Sequence, residues 1–139
     1  MAVMLVFYQY QAPKAPVYNE VPAPPGNGVL GSGTSTDPYD VLVAYTDAGY
    51  SPAEVTIQKG QRVRFVNRST EPTWPASAIH PTHSLYPGKE APDCLGSAFD
   101  ACRGLVQGEF WAFTFNHAGE WRYHDHLYAS KTGVIIVTP

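Results

Sequence analysis

From residue 38 onward, apolar and polar positions alternate over short runs, and turn-forming residues separate the runs. In "QRVRFVN", residues 61–67, Val63 and Phe65 alternate with Arg62, Arg64 and Asn67, the period of a strand with one face in water. "EVTIQ", 54–58, precedes it and is joined to it at Lys59-Gly60, so the two read as neighbouring strands. "YDVLVAY", 39–45, is β-rich and buried in character, and "GVIIVT", 133–138, is a closing strand. "FWAFTFNHAGEWRYH" predicts a hairpin, with strands 110–115 and 121–124 and a turn at 116–119. In its second strand Trp121 and Tyr123 are expected to face the core. No segment carries a convincing amphipathic helix, and only 95–106 has room for a helical turn. Short strands with turns between them predict an all-β protein, a Greek-key sandwich over residues 38–139.

The preceding chain reads differently. Residues 11–37 hold Pro13, Pro16, Pro22, Pro24 and Pro25, then Gly26, Gly28, Gly31 and Gly33. Prolines favour extended backbone and glycines loosen it, so the segment reads as a Pro/Gly-rich tail linking residues 1–10 to the domain. The apolar opening "AVMLVFY" is too short to cross a bilayer, which takes about 20 residues. Residues 1–10 read as an anchor remnant or as an added strand. Composition then narrows the function: 15% charged residues and a net charge of −3 lack the basic field of a nucleic-acid binder.

Three motifs carry a family resemblance. "GYSPAEVTIQKGQRVRFVNRST" resembles the opening of a cupredoxin (plastocyanin-like) domain, "QGEFWAFTFNHAGEWRYHDH" is similar to that family's penultimate hairpin, and "KTGVIIV" matches its last strand. They fall in the family's order over about residues 40–139. The resemblance implies copper held by two histidines, a cysteine and a weak methionine. Carried over, His83 in "HPTHSLYP" matches the first histidine, His124 stands at the cysteine position, and His126 is the counterpart of the second histidine. The methionines are Met1 and Met4, both in the tail, so the two sulfur ligands are missing.

Chemistry follows from that departure. His124 and His126 at i, i+2 on extended chain point to one side, and His83 from another loop completes a three-nitrogen set. Nitrogen sets of this kind suit Cu(II), and imidazole also suits zinc. "YHDH" further resembles the His-x-His loops of multicopper oxidase domains. His80, in "AIHPTH", is open to three readings: fourth ligand, outer donor or exposed residue before Pro81. Asp125 is expected to point away from the two histidines, as an acceptor for a histidine N–H or as a turn former. Trp74 either covers the site or packs in the core. His117, in the predicted hairpin turn, is excluded.

Cys94 and Cys102 lie in an insertion-like segment, at no ligand position, and their spacing suits a local disulfide. A bridge requires an oxidising compartment, which fits a periplasmic or cell-surface domain behind a tether. The sequence thus predicts an extracytoplasmic copper-binding cupredoxin-like protein with a histidine-rich mononuclear site, acting in electron transfer or copper handling. Its expected partners are a redox or copper-transfer protein and, through the N-terminus, a membrane; nucleic acid is not among them. Two alternatives stand beside it, a small copper redox enzyme and a structural sandwich module of a surface assembly.

Overall fold

The computed structural model describes residues 28–32, 37–88 and 94–139. Nine strands follow in order: β1 (Gly28–Ser32), β2 (Val41–Thr46), β3 (Gly49–Ser51), β4 (Glu54–Gln58), β5 (Arg62–Asn67), β6 (Pro75–Ser77), β7 (Glu109–Thr114), β8 (Gly119–Asp125) and β9 (Thr132–Thr138). They form two sheets, one in the order β1-β7-β5-β2-β3 and the other β4-β9-β8-β6. Parallel pairing of β2 with β5 and of β4 with β9 ties distant parts of the chain, so both sheets are mixed. The architecture is the sandwich that the strand pattern predicts.

Two connections differ from that pattern. β4 and β5 lie in different sheets, as do β7 and β8, so neither predicted pair of neighbours is a hairpin. Both links are arches that cross the sandwich. They are stitched at one end, where Gly60 N–H donates to the Phe115 carbonyl and Lys59 N–H to that of Thr138, each at 2.8 Å. The reason is the size of the inward side chains. Phe113 and Phe115 bury more surface facing the opposite sheet than lying beside it, and sheets packed face to face enclose them on both sides.

The core lies between the sheets and is largely aromatic. Phe99 sits at its centre, fully buried, with ring centroids 5.2 Å from Phe113, 5.7 Å from Trp111 and 5.8 Å from Tyr123. Such pairs add about 0.5–1.5 kcal/mol each beyond area burial. Phe99 belongs to the segment in which a helical turn had room to form. No helix occurs among the described residues. The segment instead spends its backbone groups on β6: Ser77 N–H donates to Phe99 O at 2.7 Å and Ala101 N–H to Pro75 O at 3.0 Å. Tyr123 faces the core as expected, whereas Trp121 is half-buried at its margin against Tyr86.

The wet face predicted for β5 is also corrected. Arg64 is buried, with its guanidinium carbon 4.3 Å from the Tyr39 ring centroid and 4.2 Å from that of Phe110. Its Nη2 donates to Asp37 O at 2.6 Å. A further difference is β1, which falls inside the segment read as a linker. β1 pairs antiparallel with β7 and sets Gly31 opposite Phe110, where a Cβ would collide with the aromatic ring. The expectations for residues 1–10, and for the rest of the tail up to residue 27, lie outside the described residues.

Candidate metal centre

The centre is assembled at one end of the sandwich from two loops. The first follows β6, a three-residue strand held between β8 and the chain at 99–101. Beyond it, Ala78 N–H donates to Arg122 O and Leu85 N–H returns to Ala78 O, closing a compact loop. Within the loop His83 N–H donates to Ile79 O at 2.8 Å, and His83 adopts a φ of 52°. That left-handed turn tips its ring inward, and histidine enters this region more readily than most residues. The second loop leaves β8. Asp125 N–H donates to Lys131 O and His126 N–H to Trp74 O, each at 2.8 Å, so His124 and His126 are fixed on either side of Asp125.

Four imidazoles converge there. His80, His83, His124 and His126 each offer one nitrogen, and these nitrogens all lie within 4.8 Å of one another. His126 Nδ1 is 2.9 Å from His83 Nε2, and His80 Nδ1 is 3.3 Å from His124 Nε2. The His83 and His124 ring centroids are 4.9 Å apart although the residues are far apart in sequence. Nitrogens bound tetrahedrally at about 2.0–2.1 Å from one ion stand about 3.3 Å from each other. The His80–His124 separation matches that span, and the His83–His126 separation of 2.9 Å falls short of it. The donor set therefore fits a borderline divalent metal such as copper or zinc.

The electrostatics favour the neutral form of His124 and His126. Burial lowers the His124 pKa to about 4, and the charges of His83, His80 and His126 push it the same way. His126 is lowered too, first by burial and then by His83 and His80. A neutral ring keeps a lone pair free for a metal, whereas an imidazolium has none to give.

The surroundings differ in part from the expectations. Asp125 is fully buried and points away from the histidines, but it holds loop backbone: Oδ1 accepts from Trp74 N–H and Leu127 N–H, both at 2.9 Å. The acceptor for a histidine N–H is Asp100, whose Oδ2 is 2.5 Å from His83 Nδ1. Trp74 spans both of its readings. It packs on the core, lies 4.4 Å from the His126 ring, and donates from Nε1 to Asp100 Oδ1 at 2.6 Å. His117 is exposed and lies beside Tyr86, outside the cluster. Cys94 and Cys102 form a disulfide.

Sequence reasoning missed Asp100 and Gly96. Both lie in the segment closed by the disulfide. Gly96 crosses the backbone of Thr82 and His83 so closely that a Cβ would overlap the Thr82 carbonyl. Only glycine fits that crossing. Nothing in "CLGSAFDAC" separates these two residues from ordinary turn formers, because the signal is contact with a loop remote in sequence.

No sequence-family profile and no curated protein matches this chain. Solved structures do resemble it. A purple cupredoxin from Nitrosopumilus maritimus matches 71% of this chain and 100% of its own, at 17% identity and a TM-score of 0.56. A Cu(I) form of an amicyanin variant matches 81% of this chain and 99% of its own, at 17% identity and a TM-score of 0.58. The chain has the cupredoxin fold, and that fold carries a cluster of histidines without a sulfur ligand.

Proposed function

We propose that this cupredoxin-fold domain binds copper at a mononuclear site made only of histidines, and that it acts outside the cytoplasm in electron transfer or copper handling. His83, His124 and His126 hold the ion, with His80 as the fourth donor. The observation that carries this reading is the convergence of four imidazole nitrogens within 4.8 Å on a fold shared with copper proteins. Copper bound by such a set supplies one-electron exchange or a Lewis acid, and without thiolate it lacks the covalent sulfur link of blue sites. The chain's own part is to converge the donors, keep two of them buried and hold His83 by its second nitrogen. The Cys94–Cys102 bridge supports an oxidising, extracytoplasmic setting.

The test is metal analysis of protein purified without added metal, followed by Cu(II) titration with absorption and EPR spectra. One equivalent of copper and a pale, type 2-like spectrum are expected. An intense sulfur-to-copper charge-transfer band would overturn the all-nitrogen site, because it would require a cysteine or methionine at the metal.

A further inference from the structure

Four neutral imidazoles bring no charge to an ion. His83 and His124 are 0% and 4% exposed, so two uncompensated positive charges among them would cost several kcal/mol in lost hydration. Two carboxylates are buried beside the cluster, Asp100 at 4% and Asp125 at 0% exposure. Among the described residues neither forms an ion pair with lysine or arginine. Asp100 stands behind His83, and Asp125 separates His124 from His126 along the strand, with its carboxyl turned to the opposite side. Asp100 is fully engaged: Oδ2 meets His83 Nδ1, while Oδ1 accepts from Trp74 Nε1 and, at 2.8 Å, from Cys102 N–H. Asp125 meets neutral donors, Trp74 N–H and Leu127 N–H at Oδ1 and the Tyr45 hydroxyl beside it, so no lysine or arginine among the described residues cancels its charge.

We propose that Asp100 and Asp125 are the built-in counter-charges of the histidine site and make it selective for a divalent over a monovalent ion, and that Asp100 positions His83 with Nε2 toward the cluster. This rests on the metal-binding reading above. Two negative charges balance a divalent ion and over-compensate a monovalent one. The positioning role follows from donor and acceptor chemistry. A carboxylate only accepts, so the His83 hydrogen stays on Nδ1 and the lone pair on Nε2 faces the other rings.

The experiment titrates the full chain with Cu(II), Zn(II) and Cu(I), comparing wild type with Asp100→Asn and Asp125→Asn. The second variant keeps Oδ1 as an acceptor for both loop N–H groups, so it removes charge with the least disturbance and decides the matter if the first does not fold. Each variant is expected to lose about 10–100-fold in Cu(II) and Zn(II) affinity and only the square root of that, about 3–10-fold, in Cu(I) affinity, since a single charge feels half the interaction energy. A tenfold fall in the Cu(II)/Cu(I) affinity ratio appears as a rise of about 59 mV in the copper potential. Equal losses for both oxidation states, or no loss in either variant, would overturn the counter-charge role. Wild-type protein that binds neither Cu(II) nor Zn(II) would defeat the metal reading itself and the counter-charge role with it. The positioning role is read separately, from nitrogen-15 NMR of the metal-free protein: the Nδ1–H tautomer of His83 is expected, and an Nε2–H tautomer would refute it.

Discussion

The four histidines divide into an inner and an outer pair. His83 and His124 are buried, His126 is half-buried and His80 is exposed. His83 is held at both nitrogens, by Asp100 and by His126, and its backbone is pressed by Gly96. His80 sits between Ile79, 67% exposed, and Pro81, and its Nδ1 contacts only the His124 ring nitrogen by hydrogen-bond distance. The inner pair is thus fixed before any ion arrives. The outer pair faces water, where an ion enters and where side-chain entropy is still to be lost on binding.

The largest effect separating the two pairs is expected at His83. His83→Ala removes a ligand and leaves buried Asp100 Oδ2 without its hydrogen-bond donor, a loss of about 1–3 kcal/mol before the cavity left by the ring is counted. Thermal or urea unfolding of the metal-free variant measures that loss. His80→Ala, by contrast, is expected to leave unfolding within about 0.5 kcal/mol of wild type, as surface changes do. Equal destabilisation by the two variants would erase the distinction between inner and outer rings.

Acid sharpens the comparison. His124 has a folded pKa of about 4 against about 6.5 when unfolded, so between those values the unfolded chain binds the extra proton. Stability is therefore fully present above pH 6.5 and falls as pH drops toward 4, by on the order of 3 kcal/mol. Denaturant midpoints of the metal-free protein across that window test the sign. His124→Gln is expected to flatten the slope, and an unchanged slope would place the titration elsewhere. Because both His124 and His126 resist protonation, copper release is expected at a lower pH than for free imidazole.

The disulfide loop bears directly on His83 and, through Trp74, on His126. Replacing both cysteines by serine opens the loop that carries Gly96 and Asp100, and the chain-entropy estimate for so short a loop is about 2.5 kcal/mol. Copper affinity is expected to fall with it, because His83 loses its support. A bridge-free variant that unfolds more easily but binds copper as well as wild type would show the loop to be a staple only. The smallest effect belongs to His117, exposed and outside the cluster, whose replacement by alanine is expected to leave Cu(II) affinity unchanged in the same titration.

What was legible from residues alone follows from the range of each interaction. Strand identity is local: alternation in 54–58 and 61–67, and apolar runs near 110–115 and 133–138, place β4, β5, β7 and β9 within a residue or so of their observed ends. His124 and His126 were readable as one site because extended backbone places i and i+2 on the same side. The absence of sulfur ligands required only counting Cys and Met.

Tertiary structure decided what depends on contacts between distant segments. That β7 and β8 arch between sheets is settled by which large side chains meet across the core, and no spacing encodes it. β1 in a glycine-rich tail, and Arg64 stacked between Tyr39 and Phe110, exist only because other segments cover them. His80 joined the cluster because its loop folds back over the end of β8, and Asp100 rather than Asp125 took the histidine N–H because the disulfide loop lies along β6 and crosses His83. A sequence determines locally which groups are available; the close packing of remote loops decides which of them touch.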